Sequence, residues 1–453
     1  MAAKQSRPRR EHPQKPPAKT GPPHKGKGRS PAKEVRSAKD KPIRGERPPT
    51  VTFAGLLRPL VGQPAGPQDM VTMQSSPLAH LDYQEELKIK NQALGMFWTH
   101  FRLPGKQEPV IGSPKPRRYR TTSKRKAVLK GSTLFLLFND RALRYQKKPF
   151  VESLLEPLEH GRLFAFLQQK ISEPAFTLVA AHLNYLIIRG SYTERAVIFN
   201  VDTLNGPLVR KLKLLAEYLQ KLPDPISSVS IYPDPSRSDY YLEKGQPPDI
   251  LKFKKLFGRT DLTVSHHGFR YSYHPTSFSQ VNEAMVPVML DRVRALLRPD
   301  PAGTLLDLYC GYGLFSHFLA PGYKQVVGID AEGPAIRSAI FNKKFNPGSR
   351  KARFLARRIT AKSVENIPLA DDSAAETILL DPPRLGPQEG VIDALSRREP
   401  KKVLHIFCGV DQIPDALRQW KQHDYRIKRI VPLDMFPGTA NLEVLILQEK
   451  GRG

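Results

Sequence analysis

The residues best placed to do chemistry are Cys408, Glu443, Asp381 and Asp330, each standing where an apolar run begins or ends. Cys408 closes the run VLHIF and is followed by Gly409. A thiolate is a strong nucleophile and needs no full triad, whereas a cysteine inside an apolar strand is more often a small core residue. The place at a strand tip, before a turn glycine, favours the nucleophile. Glu443 opens onto the apolar run VLIL. A carboxylate is rarely buried in such company, and burial would raise its pKa into the range of a general base. The competing reading is an edge-strand glutamate that faces water. Asp381 lies in LLDPPR, where two prolines stiffen the loop and hold the acid at a strand end. Otherwise it is a loop acid capping the next segment.

The run LLDLYCGYGLF sets Gly311 and Gly313 directly after a strand, where glycine permits a sharp turn and close approach of a ligand. Asp330, nineteen residues beyond Gly311, ends VVGID and is placed to accept hydrogen bonds from ribose hydroxyls. A dinucleotide fingerprint would need a third glycine where Ser316 stands. The pattern therefore suits a nucleoside ligand without a pyrophosphate. Asp307 reads as support for this loop, and Cys310, inside it, as structural. His266 and His267 suggest a metal pair, but strand neighbours point to opposite faces, which favours a solvent-facing pair on a hairpin.

Alternating strand and helix patterns position these residues. From residue 276 to 453 they read as an α/β doubly wound, Rossmann-like sheet, with near-continuous apolar strands and an antiparallel edge from the last two strands. Ligands gather at the carboxyl ends of such strands, which is where Cys408, Asp381, Gly311 and Gly313 fall. Residues 76–275 read as a helix followed by an α+β domain that contacts RNA. Residues 1–75 read as a disordered, basic, proline-rich tail; the first fifty carry fifteen Lys/Arg, four Asp/Glu and ten prolines.

The whole chain of 453 residues carries a net charge of +29, which points to a polyanionic partner, with nucleic acid foremost. Two cysteines exclude a disulfide framework and a four-cysteine metal site. No apolar run is long enough to span a bilayer, and no signal-peptide core is seen. The expectation is a soluble, cytoplasmic monomer with no membrane partner.

Taken together the motifs resemble the RNA (uracil-5-)-methyltransferase family of the TrmA type. Five patterns follow the family's order: SFSQVN, LLDLYCGYGLF, LLDPPRLG, HIFCGVDQIPDAL and LDMFPGTANLE. The resemblance runs from about Leu78 to Glu449. It implies a class I S-adenosylmethionine-dependent methyltransferase domain and the transfer of a methyl group to carbon 5 of a uridine in tRNA or rRNA. In that chemistry Cys408 attacks carbon 6 of the ring and Glu443 removes the proton from carbon 5. The matching positions Gln280, Tyr309, Gly311, Gly313, Asp330 and Asp381 would line the S-adenosylmethionine pocket, with no metal. The chain departs from the family at Gly409–Val410, where Asn-Pro is typical, and at Leu314, Arg358 and Asn441. Arg117–Arg120 would supply phosphate contacts or solvated charge. A protein of the same fold that binds or folds RNA without turnover is the competing reading, and a cysteine enzyme for small molecules fits the charge less well.

Overall fold

The computed structural model describes residues 51–62, 76–138, 142, 144, 146–238, 253–368 and 376–451. Two sheets organise them. The first contains β1 (Thr122–Lys130), β2 (Thr133–Leu137), β3 (Leu183–Gly190), β4 (Arg195–Val201), β5 (Ser228–Pro233) and β6 (Lys254–Gly258), in the order β2-β1-β3-β4-β5-β6. Its pairs are antiparallel except β4 with β5, which the helix Gly206–Gln220 joins as a crossover. Asn205 starts that helix by accepting the Leu208 N–H. Leu208, Leu212, Leu215 and Leu219 then form one buried stripe in a core shared with Leu186, Phe199 and Ile231 of the sheet.

A hairpin follows, β7 (Leu262–His266) and β8 (Phe269–Tyr273). The Asn342 side chain pairs with the backbone of Ser272, and the Tyr271 hydroxyl donates to the Leu314 carbonyl. The hairpin is thus fastened to helices of the C-terminal sheet, although it precedes the expected boundary at 275. His266 and His267 are not a solvent-facing pair. The positive φ of His267 breaks the strand alternation, so His266 is buried near Tyr271 while the His267 ring stacks on Phe318.

The second sheet contains β9 (Thr304–Leu308), β10 (Gln325–Asp330), β11 (Arg353–Ala356), β12 (Glu376–Leu380), β13 (Lys402–Phe407), β14 (Tyr425–Leu433) and β15 (Glu443–Lys450), ordered β11-β10-β9-β12-β13-β15-β14. The first five in that order are parallel, and β15 runs antiparallel between β13 and β14. The doubly wound sheet is the one expected. The antiparallel strand, however, lies one place in from the rim, and β14 returns to the common direction. Residues 108–111 run along the rim, with the N–H groups of Glu108 and Ile111 donating to the carbonyls of Ile430 and Pro432. The chain travels outward from β9 through β10 and β11 and then returns to β12. The carboxyl ends of β9 and β12 therefore flank a topological switch point.

The helix Tyr83–His100, capped by Asp82, packs on this second sheet. Its Leu94, Phe97 and Trp98 join a core with Trp420, Tyr425 and Ile446. Residues 51–62, expected to be part of a disordered tail, are ordered. Thr52 caps a short helix, Phe53–Leu57, whose Phe53 packs edge-on against Phe97. Phe53 and Leu57 carry enough apolar surface to anchor that turn, unlike the proline-rich stretch before them. Residues 1–50 and 63–75 lie outside the described residues.

Candidate active site

Strand register assembles the site. In β13 and β15 Phe407 pairs with Val444, so the next step of the antiparallel ladder sets Cys408 opposite Glu443. In β12 and β9 Leu380 pairs with Leu308, and in β10 and β9 Ile329 pairs with Leu308. One residue on, Asp381, Tyr309 and Asp330 stand level with one another at the carboxyl edge. The sequence-predicted residues of the sheet thus share one rim.

Cys408 is partly buried, and its Sγ faces the Pro382 carbonyl at 3.7 Å. Burial pushes its thiol up to about 12, and the carboxylates of Asp381 and Glu443 add to the effect, while Arg384 opposes it. Glu443 is only 3 % exposed. Burial raises its carboxyl well above the usual range, Asp381 pushes the same way, and Arg384 again opposes. Its Oε2 has no hydrogen-bond partner among the described residues. Cys408, Asp381, Glu443 and Arg384 therefore form one electrostatic cluster, in which the guanidinium offsets two acids.

The glycine loop is strained where it turns. Tyr309, Gly311 and Gly313 all have positive φ. A Cβ on Gly313 would sit 2.8 Å from the His317 ring, so that glycine serves helix packing. A Cβ on Gly311 would meet nothing within 4 Å, so that glycine borders open space. The Asp330 carboxylate accepts the N–H of Gly311 at 2.8 Å and of Ala331 at 2.7 Å. Each oxygen keeps a lone pair for a further donor. Asp307 is buried and accepts the Ser316 hydroxyl, tying the loop to the helix that follows. Cys310 is buried against Ile336 and Ala339, consistent with a structural role. Gln280 lies half-buried on the segment after β8, which the buried Arg189 clamps through the carbonyls of Pro275 and Ser277 and the Ser279 hydroxyl. Among the described residues the Gln280 side chain makes no hydrogen bond, and no contact places it at the glycine loop.

Several supports escaped the sequence reading. The Gln412 amide donates to the Arg384 carbonyl and so joins the Cys408 loop to the Asp381 loop. A Cβ on Gly409 would lie 3.1 Å from that amide, so a larger residue there would press on the glutamine that joins the two loops. The Asp411 carboxylate accepts the Phe53 N–H at 2.7 Å, bracing the same loop from the N-terminal segment. Lys90 bridges Glu86 at 2.7 Å and Asp434 at 2.8 Å, all fully buried, and Arg117 joins Glu86 at 2.9 Å. That network grips Asp434–Gly438, the loop leading into Glu443, since Gly438 N–H also donates to Glu86. Glu86 and Lys90, four apart on an otherwise apolar helix face, were the available signal. Arg117 pairs with Glu86 and Arg118 with the more exposed Glu152, so both arginines of that basic stretch also hold ion pairs within the fold.

The profile of the tRNA (uracil-5-)-methyltransferase family matches residues 248–451. The match spans the hairpin and the entire seven-stranded sheet. An uncharacterised RNA methyltransferase from Thermosynechococcus vestitus is 33 % identical over 193 residues, 42 % of each chain. A 23S rRNA (uracil(1939)-C(5))-methyltransferase of Marinomonas posidonica is 30 % identical over 48 % of this chain and 50 % of its own. The enzyme of that name from Burkholderia pseudomallei is 25 % identical over 82 % of this chain and 78 % of its own. The chain thus spans about half the length of the first two relatives named. In fold, the chain resembles the Pyrococcus abyssi tRNA (uracil-54, C5)-methyltransferase, solved with S-adenosyl-L-homocysteine, at a TM-score of 0.61 and 23 % identity over 85 % of this chain and 87 % of that one.

Proposed function

We propose that this protein methylates carbon 5 of a uridine in structured RNA, tRNA or rRNA, through a covalent bond between Cys408 and the uracil ring. The observation that carries the reading is the β13–β15 register, which sets a thiol and a buried carboxyl opposite each other beside Asp381. The family match over residues 248–451 and the named relatives support the same reaction class.

The loop at Gly311 suits a nucleoside cofactor, because its Cβ direction is open and the level acids Asp330 and Asp381 flank it. Asp330, Tyr309, Gly311 and Asp381 would hold S-adenosylmethionine, with Gln280 and Gly313 as further contributors. When bound, that cofactor supplies the methyl group. Cys408 gives up its proton to solvent and adds to carbon 6, and the ring's double-bond pair moves toward oxygen 4. Arg384 lies close enough to act on both Cys408 and Glu443, so it offsets the negative charge that this step brings. After methylation, Glu443 takes the proton from carbon 5, and the pair left behind expels the sulfur. The uridine must leave its stack to reach Cys408.

The test is a covalent trap. The protein is mixed with S-adenosylmethionine and total tRNA or rRNA containing 5-fluorouracil, in which carbon 5 has no proton to lose. The expected result is a denaturation-resistant protein–RNA adduct that is absent in Cys408→Ala. RNA binding with no adduct from either pool would instead favour the non-catalytic reading.

A further inference from the structure

The loop after Asp381 carries the most exposed large apolar side chain described: Leu385 is 96 % exposed. Its backbone is nevertheless firmly set. Pro382 and Pro383 precede it, Gly386 at φ 77° closes a turn by donating to the Pro383 carbonyl, and the Gln412 amide holds the Arg384 carbonyl. The same loop touches the nucleophile, since the Cys408 Sγ faces the Pro382 carbonyl. A single exposed leucine is ordinary on a protein surface; what sets this one apart is its place on a braced turn of the same loop that touches the nucleophile.

We propose that Leu385 is a wedge that enters the RNA base stack and fills the gap left when the target uridine turns toward Cys408. Apolar side chains perform this task in nucleic acids by separating neighbouring bases, and unstacking a base costs free energy that a wedge offsets. Two features of this rim fit an RNA occupant, the thiol beside the loop and the cationic Arg384 that precedes the leucine in sequence, and the net charge of +29 on the whole chain fits the same partner. The inference rests on the uridine methyltransferase reading.

The experiment measures the rate of adduct formation with folded, 5-fluorouracil-containing tRNA or rRNA at saturating S-adenosylmethionine, for wild type, Leu385→Asn and Leu385→Met. Asparagine matches leucine in size but not in polarity, and a side chain this exposed leaves the fold intact when replaced. Leu385→Asn should slow capture at least about tenfold with unchanged cofactor affinity, while Leu385→Met stays within about threefold of wild type. Capture by Leu385→Asn at the wild-type rate overturns the wedge, as does equal loss in both variants. If wild type itself forms no adduct, the methyltransferase reading falls and the leucine has no flipped base to serve.

Discussion

Cys408 and Glu443 face each other because β15 runs against β13, so the first residue of one strand meets the residue just past the end of the other. A parallel neighbour would have brought its own carboxyl end to this rim. The reversed strand instead delivers an acid that begins a strand, together with the loop that precedes it. Replacing the sulfur tests the pair most directly. Cys408→Ala should abolish adduct formation and methyl transfer and leave S-adenosylmethionine affinity within about threefold, because the glycine loop lies on other strands. Equilibrium binding of the cofactor checks this, and loss of binding would mark the cysteine as structural.

Glu443→Gln should convert a turning-over enzyme into one that accumulates the adduct with ordinary uridine, since carbon 5 keeps its proton. Stability should change with it, in a direction fixed by linkage. A carboxyl whose folded pKa is raised binds its proton more tightly when folded, so its contribution is favourable at low pH. That contribution is lost as pH rises from the ordinary carboxylate range through the raised folded value. The Gln variant should therefore be more stable than wild type near pH 8, with the gap closing near pH 4. Urea unfolding at the two pH values measures it.

Much of this rim was legible because strand ends are punctuated. Glycine after Cys408, two prolines after Asp381 and paired glycines after Leu308 each mark a strand's carboxyl end, and in a parallel sheet those ends share one edge. What holds the rim together was not legible. The Lys90–Asp434 contact joins residues far apart in sequence and depends on the Tyr83–His100 helix packing on the second sheet, a pairing no local pattern encodes. Phe53 reaches Asp411 from a short apolar run, VTFAGLLRPLV, that lies between proline-rich stretches and so passed as part of the tail. The place of β15 inside β14 was also hidden, since adjacent hairpin strands read the same in either order.

Arg384 should set the reactivity of the thiol before any RNA arrives. Burial and two acids hold the Cys408 thiol up at about 12, and the guanidinium is the cation that opposes them. Alkylation of Cys408 by iodoacetamide should therefore be slow at pH 7 and rise about tenfold per pH unit up to pH 10, because only the thiolate reacts. Arg384→Gln should lower the rate several-fold at each pH, and Arg384→Lys should restore part of it. A plateau below pH 9 in wild type would show that the thiol is not held up. Mass spectrometry of the Cys408 peptide distinguishes it from the fully buried Cys310.

The Lys90 network should be costly to break and should act on Glu443 from a distance. Lys90, Glu86 and Asp434 are fully buried, and Arg117 covers only one side of the cluster. Lys90→Met leaves two acids facing each other without their shared cation, and removing one partner of a buried pair costs roughly 3–5 kcal/mol. Lys90 also donates toward the Phe436 carbonyl, so the loop before Glu443 loses its footing at Asp434 and at Phe436, while Gly438 N–H still donates to Glu86. Phe436 stacks near the Arg384 guanidinium, which couples that loop to the Asp381 side of the rim. The double change Lys90→Met with Asp434→Asn should recover part of the lost stability, since it removes a charge of each sign. It should not recover the rate of proton removal, because the hydrogen bonds that fix the loop are still missing. Urea unfolding and single-turnover release of the adduct separate the two effects, and full recovery of both would show that the network supports the fold alone.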